Sequence, residues 1–154
     1  MRLALYQPDI PQNLGAAIRL AACLGVGLDI IEPCGFPLTD RSLKRAALDY
    51  GNKAAISLHA SFAAFIAAPE RSAGRLVLAE TDGATRFQDF VFSTGDTLIL
   101  GRESVGSPGE IYEAAVASVR VPMVKRLRSL NVVVAGAIVL TEAMRQTGAW
   151  EKLN

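Results

Sequence analysis

Short apolar runs alternate along this chain with polar or Gly/Pro breaks, and the runs follow two different periods. Residues 2–6 form an apolar run stopped by Gln7-Pro8, which predicts a strand. Leu14, Ala17, Ile18, Ala21 and Ala22 then recur at helical spacing, predicting a helix with Asn13 placed to cap it and Gly25 to end it. Residues 28–31 form a second strand closed by Glu32-Pro33, and a basic helix is expected over 40–48. A strand over 54–58 and a helix over 61–67 follow, then buried strands at 76–79 and 97–100, each running into a polar or glycine-rich loop. A short helix begins near Pro108 and a last strand covers 119–121.

The final segment, 129–146, carries conflicting signals. Val132-Val133-Val134 and Ile138-Val139 favour strand, and Gly136 costs a helix about 1 kcal/mol, but eighteen residues is too long for one strand. Length decides for helix. Because 132–140 is apolar all round, this helix is expected to be covered on every side, in part by a partner subunit. Strand and helix alternate throughout without repeats or linkers, so 1–154 is expected to be a single α/β domain. Its sheet should be mostly parallel, with helices on both faces and the ligand beyond the carboxyl ends of the strands.

Composition narrows the chemistry. The 154 residues are 51% hydrophobic, which excludes a natively disordered chain, and 16 Lys+Arg against 15 Asp+Glu leave a net charge of +1. Any nucleic-acid site must therefore be a local patch. Two cysteines and one histidine without a C-x-x-C pattern argue against a metal centre. Cys23 and Cys34 are expected to be free, buried or neutral thiols, as suits a reducing compartment, and His59 a surface residue at a helix start. The apolar run before Gln7 is too short for a signal peptide, and 132–140 falls far below the ~20 residues of a membrane span. A soluble cytoplasmic protein with no membrane partner is expected.

The usual small-molecule motifs fail. Gly25-Val26-Gly27 is followed by Ile30 where a dinucleotide fingerprint needs a third glycine, and no Walker-type phosphate loop exists. Ser104 lies three residues after Gly101, so it is not a nucleophile elbow, and a hydrolase using Ser104 or Ser129 lacks a base. Three segments remain. In Ile10-Pro11-Gln12-Asn13-Leu14-Gly15-Ala16-Ala17-Ile18-Arg19, Arg19 is the only charge between Asp9 and Asp29, with Gly15 one turn before it; solvent or an anion explains it. In Leu98-Ile99-Leu100-Gly101-Arg102-Glu103-Ser104-Val105-Gly106-Ser107-Pro108, a strand enters a glycine-punctuated loop, either an ordinary turn or a close approach of backbone to ligand. There Glu103 is placed to accept hydroxyl hydrogen bonds or to pair with Arg19. In Val121-Pro122-Met123-Val124-Lys125-Arg126-Leu127-Arg128-Ser129-Leu130-Asn131, three cations precede a helix start, either a solvated loop or an anion site. Arg41, Lys44 and Arg45 form a second basic patch, and two such patches on a nearly neutral chain suggest phosphate contacts.

In this order the three segments resemble the three motifs of the SPOUT class of RNA methyltransferases. MRLALYQPDIPQNLGAAIRL, IIEPCGFPLTDRSLKRAALDY, LILGRESVGSP and VPMVKRLRSLN extend the likeness to the small bacterial tRNA (cytidine/uridine-34) 2′-O-methyltransferases, a minimal form without an added RNA-binding domain. The resemblance implies a C-terminal trefoil knot, a homodimer through the C-terminal helix, and S-adenosyl-methionine bound in a bent shape among the knot loops. It places cofactor binding on Ala79, Gly101, Val121 and Ser129, and catalysis on Arg19, Glu103 and Asn131. Arg41, Lys44, Arg45, Lys125, Arg126 and Arg128 would hold the tRNA anticodon arm, and no metal is implied. An always-protonated Arg19 fits alkoxide or phosphate stabilisation better than general base. The family usually has a serine where Val133 stands, near the cofactor, and a tyrosine where Thr141 stands, on the dimer-facing helix. The competing reading is a knotted RNA- or nucleotide-binding dimer without chemistry.

Overall fold

The computed structural model describes residues 1–39, 54–69 and 74–153. The helix expected over 40–48, with Arg41, Lys44 and Arg45, lies outside the described residues. Within them the chain runs β1 (Arg2–Tyr6), α1 (Pro11–Leu24), β2 (Gly27–Ile31), β3 (Ile56–His59), α2 (Phe62–Ile66), β4 (Leu76–Ala79), β5 (Thr85–Arg86), β6 (Thr97–Leu100), α3 (Gly109–Ala114), β7 (Ala117–Arg120) and α4 (Val132–Gln146). The strands form one sheet in the order β3-β2-β1-β6-β4-β7-β5, and every strand pair in it is parallel.

Side-chain alternation along the strands makes two cores. Leu3 and Leu5 of β1, Leu28 and Ile30 of β2, Val77 of β4, and Leu98 and Leu100 of β6 face α1 and α4. Ala4, Tyr6, Ile31, Leu76, Leu78 and Ile99 point the other way, onto Phe62 and Phe65 of α2 and Ile111 of α3. Near-continuous apolar strands are what a doubly covered parallel sheet requires, which is why the apolar runs are legible as strands.

Three expectations need correction. Asn13 does not cap α1: Pro11 supplies the first turn with its fixed φ, Ile10 occupies the cap position, and Asn13 is a buried residue inside the helix. Gly25 does end α1, at φ 62° with its N–H on the carbonyls of Ala21 and Ala22. The last helix begins at Val132 instead of 129, because the Asn131 side chain caps it by accepting from Val133 N at 3.0 Å and Val134 N at 3.2 Å. His59 is not a surface residue at a helix start. It ends β3, 7% exposed, with Nε2 2.7 Å from Oδ1 of the fully buried Asp29, which also accepts from Arg2 Nε at 2.6 Å and Nη2 at 2.9 Å. Such a buried carboxylate needs partners from both neighbouring strands, and the sequence carries no local sign of them.

Gly136 is explained by packing. A Cβ built there would lie 2.7 Å from Leu100 Cδ1, so glycine lets α4 settle onto the end of β6. Cys23 is an exposed free thiol, and burial pushes the Cys34 thiol up to about 11, keeping it protonated.

Candidate active site

Parallel strands all deliver their following loops to one end of the sheet, and there the loops after β1, β4, β6 and β7 converge with the start of α4. They enclose a cavity of about 660 Å³. Ala79, Gly101, Glu103, Val121, Arg128, Ser129 and Asn131 all line it, bringing together segments about twenty residues apart in the chain. Lys125 and Arg126 are exposed in the loop that leads to it, and Arg126 takes φ 75°, a left-handed turn inside the basic run. Arg19 sits on the exposed face of α1 and is not among the lining residues of its own chain's cavity.

One hydrogen-bonded chain ties three elements together. Glu103 Oε2 accepts from Asp9 N and Oε1 from Asn13 Nδ2, both at 2.9 Å, so the loop after β6 is clamped to the entry of α1. Asn131 Nδ2 donates to Asn13 Oδ1 at 2.8 Å while its own Oδ1 caps α4. Against the lowering effect of the Asp9 N–H and the Asn13 amide, burial first, and then the neighbouring Asp9 carboxyl, push the Glu103 carboxyl above the usual carboxylate range. Hydrogen bonds with Glu103 and Ser104 hold the Asp9 carboxyl below it. Sequence spacing assigns neither Asp9 nor Asn13 to this site. Both are partners of a motif residue across tertiary distance, and short-range spacing carries no trace of that.

The loop from Gly101 to Ser107 folds tightly. Arg102 and Gly106 exchange backbone hydrogen bonds, and Gly106 takes φ 72°. A Cβ at Gly101 would collide with Ser107 Oγ and crowd Glu80 Oε2 and the Gly106 backbone, both at 3.1 Å, so a side chain here would force the loop to shift. Glu80, the first residue beyond β4, also lines the cavity, as do Asp82 and Tyr112. Tyr112 Oη donates to Asp82 at 2.9 Å, and burial together with that bond pushes the phenol up to about 12. The apolar part of the lining comes from Ile10, Ala79, Val119, Val121, Leu130, Val132 and Ala135. A bare glycine cradle, an apolar wall and hydroxyl-accepting carboxylates fit an adenosine-containing ligand.

Known proteins share this fold and sequence. The model of the SpoU rRNA Methylase family matches residues 1–141. A protein of Beijerinckia indica subsp. indica named tRNA (cytidine(34)-2′-O)-methyltransferase is 51% identical over 151 residues, covering 98% of this chain and 94% of that one. A solved structure concerned with 2-OH methylation of C/U34 on tRNA superposes with a TM-score of 0.85 at 42% identity, covering 94% of each chain. An AdoMet-bound rRNA methyltransferase from Sinorhizobium meliloti gives a TM-score of 0.81 at 29% identity, covering 94% of this chain and 55% of that one. With sequence likeness over nearly the whole chain and the same fold around the cavity, this chain belongs to the SpoU rRNA Methylase family.

Proposed function

We propose that this chain is a tRNA 2′-O-methyltransferase that moves a methyl group from S-adenosyl-methionine to the ribose of wobble nucleotide 34, a cytidine or a modified uridine. The observation that carries the reading is the convergence of Gly101, Glu103, Ser129 and Asn131 on one cavity, in a chain 51% identical to a protein named for this reaction. Ala79, Gly101, Val121 and Ser129 are the residues that would hold the cofactor. When bound, it supplies a methyl group on a positively charged sulfur that is already activated to leave.

What remains for the protein is positioning and proton removal. Glu103, its carboxyl raised by burial, takes the proton of the ribose hydroxyl on a carboxylate oxygen. Asn13 and Asn131 fix the orientation of that carboxylate and of the α4 start. Arg128, Lys125 and Arg126 grip phosphates of the anticodon arm, joined by Arg41, Lys44 and Arg45. Arg19 stabilises the developing alkoxide. It stands outside its own chain's cavity lining, so we assign it to the cavity of a second subunit.

A homodimer through α4 fits the partly exposed stripe of Val134, Ile138, Thr141 and Arg145, with Trp150 39% exposed nearby. The reading includes the C-terminal trefoil knot and a cytoplasmic location beside tRNA. No described helix is long and apolar enough to cross a membrane. Incubation with labelled S-adenosyl-methionine and total tRNA, followed by mapping of 2′-O-methyl groups, is expected to find label at nucleotide 34. Tight binding of tRNA and cofactor with no transfer would instead identify a non-catalytic binding dimer.

A further inference from the structure

Glu80 stands where three parallel strands end. Its N–H donates to Val119 O of β7 at 3.0 Å, continuing the ladder one step past β4, and its neighbour across β6 is Gly101. The carboxylate is pinned on both oxygens by uncharged donors: Ser107 Oγ to Oε2 at 3.0 Å and Thr81 N to Oε1 at 3.1 Å. The bare backbone of two glycines flanks it: a Cβ at Gly101 would crowd Oε2 at 3.1 Å, and one at Gly106 would stand at van der Waals distance, 3.4 Å. Among the described residues no cation forms an ion pair with it. A half-buried carboxylate without a cation, fixed in plane and facing a cavity, still has an open lone pair on each oxygen.

Two acceptors held side by side match two hydroxyl donors on adjacent carbons. A sulfonium has no donor and needs only negative charge, while the N–H bonds of one amino or ammonium nitrogen diverge from a single atom and match a fixed pair of acceptors less well than two separate hydroxyls. We propose that Glu80 is the cofactor's ribose anchor, accepting hydrogen bonds from the 2′- and 3′-hydroxyls of its adenosine and thereby setting where the methyl donor sits. This rests on the methyltransferase reading above. The specificity device parallels the acidic ribose-binding residue of dinucleotide folds, here placed on a different strand.

Calorimetric titration tests the anchor without any turnover. Wild-type protein, Glu80→Gln and, as a milder second variant, Ser107→Ala are titrated with S-adenosyl-methionine, S-adenosyl-homocysteine, 5′-methylthioadenosine and its 3′-deoxy analogue, after melting curves confirm that each is folded. Wild type is expected to bind the 3′-deoxy analogue about 10-fold more weakly than 5′-methylthioadenosine. Glu80→Gln is expected to weaken all three ribose ligands by a similar factor and to lose most of the discrimination against the deoxy analogue, with Ser107→Ala between the two. Weakening confined to S-adenosyl-methionine would assign Glu80 to the sulfonium and overturn the proposal. Weakening of S-adenosyl-methionine and S-adenosyl-homocysteine with 5′-methylthioadenosine unaffected would assign it to the amino-acid end and overturn the proposal as well. Equal affinities in wild type and Glu80→Gln would do the same. Failure of the wild type to bind any of these ligands would sink the methyl-donor reading first, and the anchor with it.

Discussion

Burial raises the Glu103 carboxyl and the neighbouring Asp9 carboxyl raises it further, so the group loses its proton at a higher pH than an exposed glutamate. As the proposed base it must be ionised, and the rate is therefore expected to fall as pH drops through that raised value. The acid limb of kcat/KM should lie above the ordinary glutamate range of about 4.3, and Glu103→Gln should remove the limb while slowing methyl transfer by about 100-fold or more. Cofactor binding measured by titration should change little in that variant. Gly101→Ala should do the reverse, since a methyl group there collides with Ser107 Oγ and reshapes the cradle: affinity for S-adenosyl-homocysteine should fall by about 10-fold or more. Gly101 stands out in the sequence because a glycine-punctuated strand end is a local pattern, whereas Glu103 and Asn131 enter as catalytic candidates only through the family resemblance. Glu80, Asp9 and Asn13 are not, because each acquires its role only through a residue at least a dozen positions away.

At the scale of elements, the strands and α1 can be read directly from apolar runs and helical spacing, but the boundaries of α4 turn on one side chain. Asn131 caps this helix and also holds Asn13. Asn131→Asp keeps a capping acceptor and adds a charge favourable at a helix N-terminus, yet loses the donor to Asn13. Its melting temperature should stay close to the native value while methylation of tRNA drops sharply, whereas Asn131→Ala should also lose about 1 kcal/mol of stability. Gly136 poses the opposite problem. Alanine there gains about 1 kcal/mol of helix propensity but presses a Cβ into the fully buried Leu100, an overpacking cost of about 1–3 kcal/mol. Gly136→Ala should therefore lower the melting temperature by about 2–4 °C, despite being the better helix former. The sequence shows the anomaly of a glycine mid-helix; only the docking of α4 on β6 explains it. β5, two residues long, escapes sequence reading because a pair of residues has no period.

For the whole molecule, the proposed homodimer ties together two features, the partly exposed stripe on α4 and the place of Arg19 outside its own chain's cavity lining. Val134→Asp places a charge on a side chain 49% exposed in the single chain, and light scattering should show it shifting the protein toward monomer. If Arg19 serves the neighbouring cavity, Arg19→Ala and Glu103→Gln proteins, each nearly inactive alone, should regain activity when co-expressed, with about half the native rate per mixed dimer, since one of its two sites is then intact. No recovery in such mixtures would place Arg19 at its own chain's site. The fold class is legible because parallel sheets leave continuous apolar runs; the partnership of distant loops around one cavity is not, since no segment contains it. That partnership also sets a time order for the newborn chain. The lining runs from Ile10 to Ala135, and β7 lies between β4 and β5 in the sheet. A nascent polypeptide emerging amino end first thus presents Arg19 early, yet gains no complete cavity lining until Ala135 has emerged. Chains cut short before Ala135 should accordingly show no methyl transfer, because part of the cavity wall is then missing.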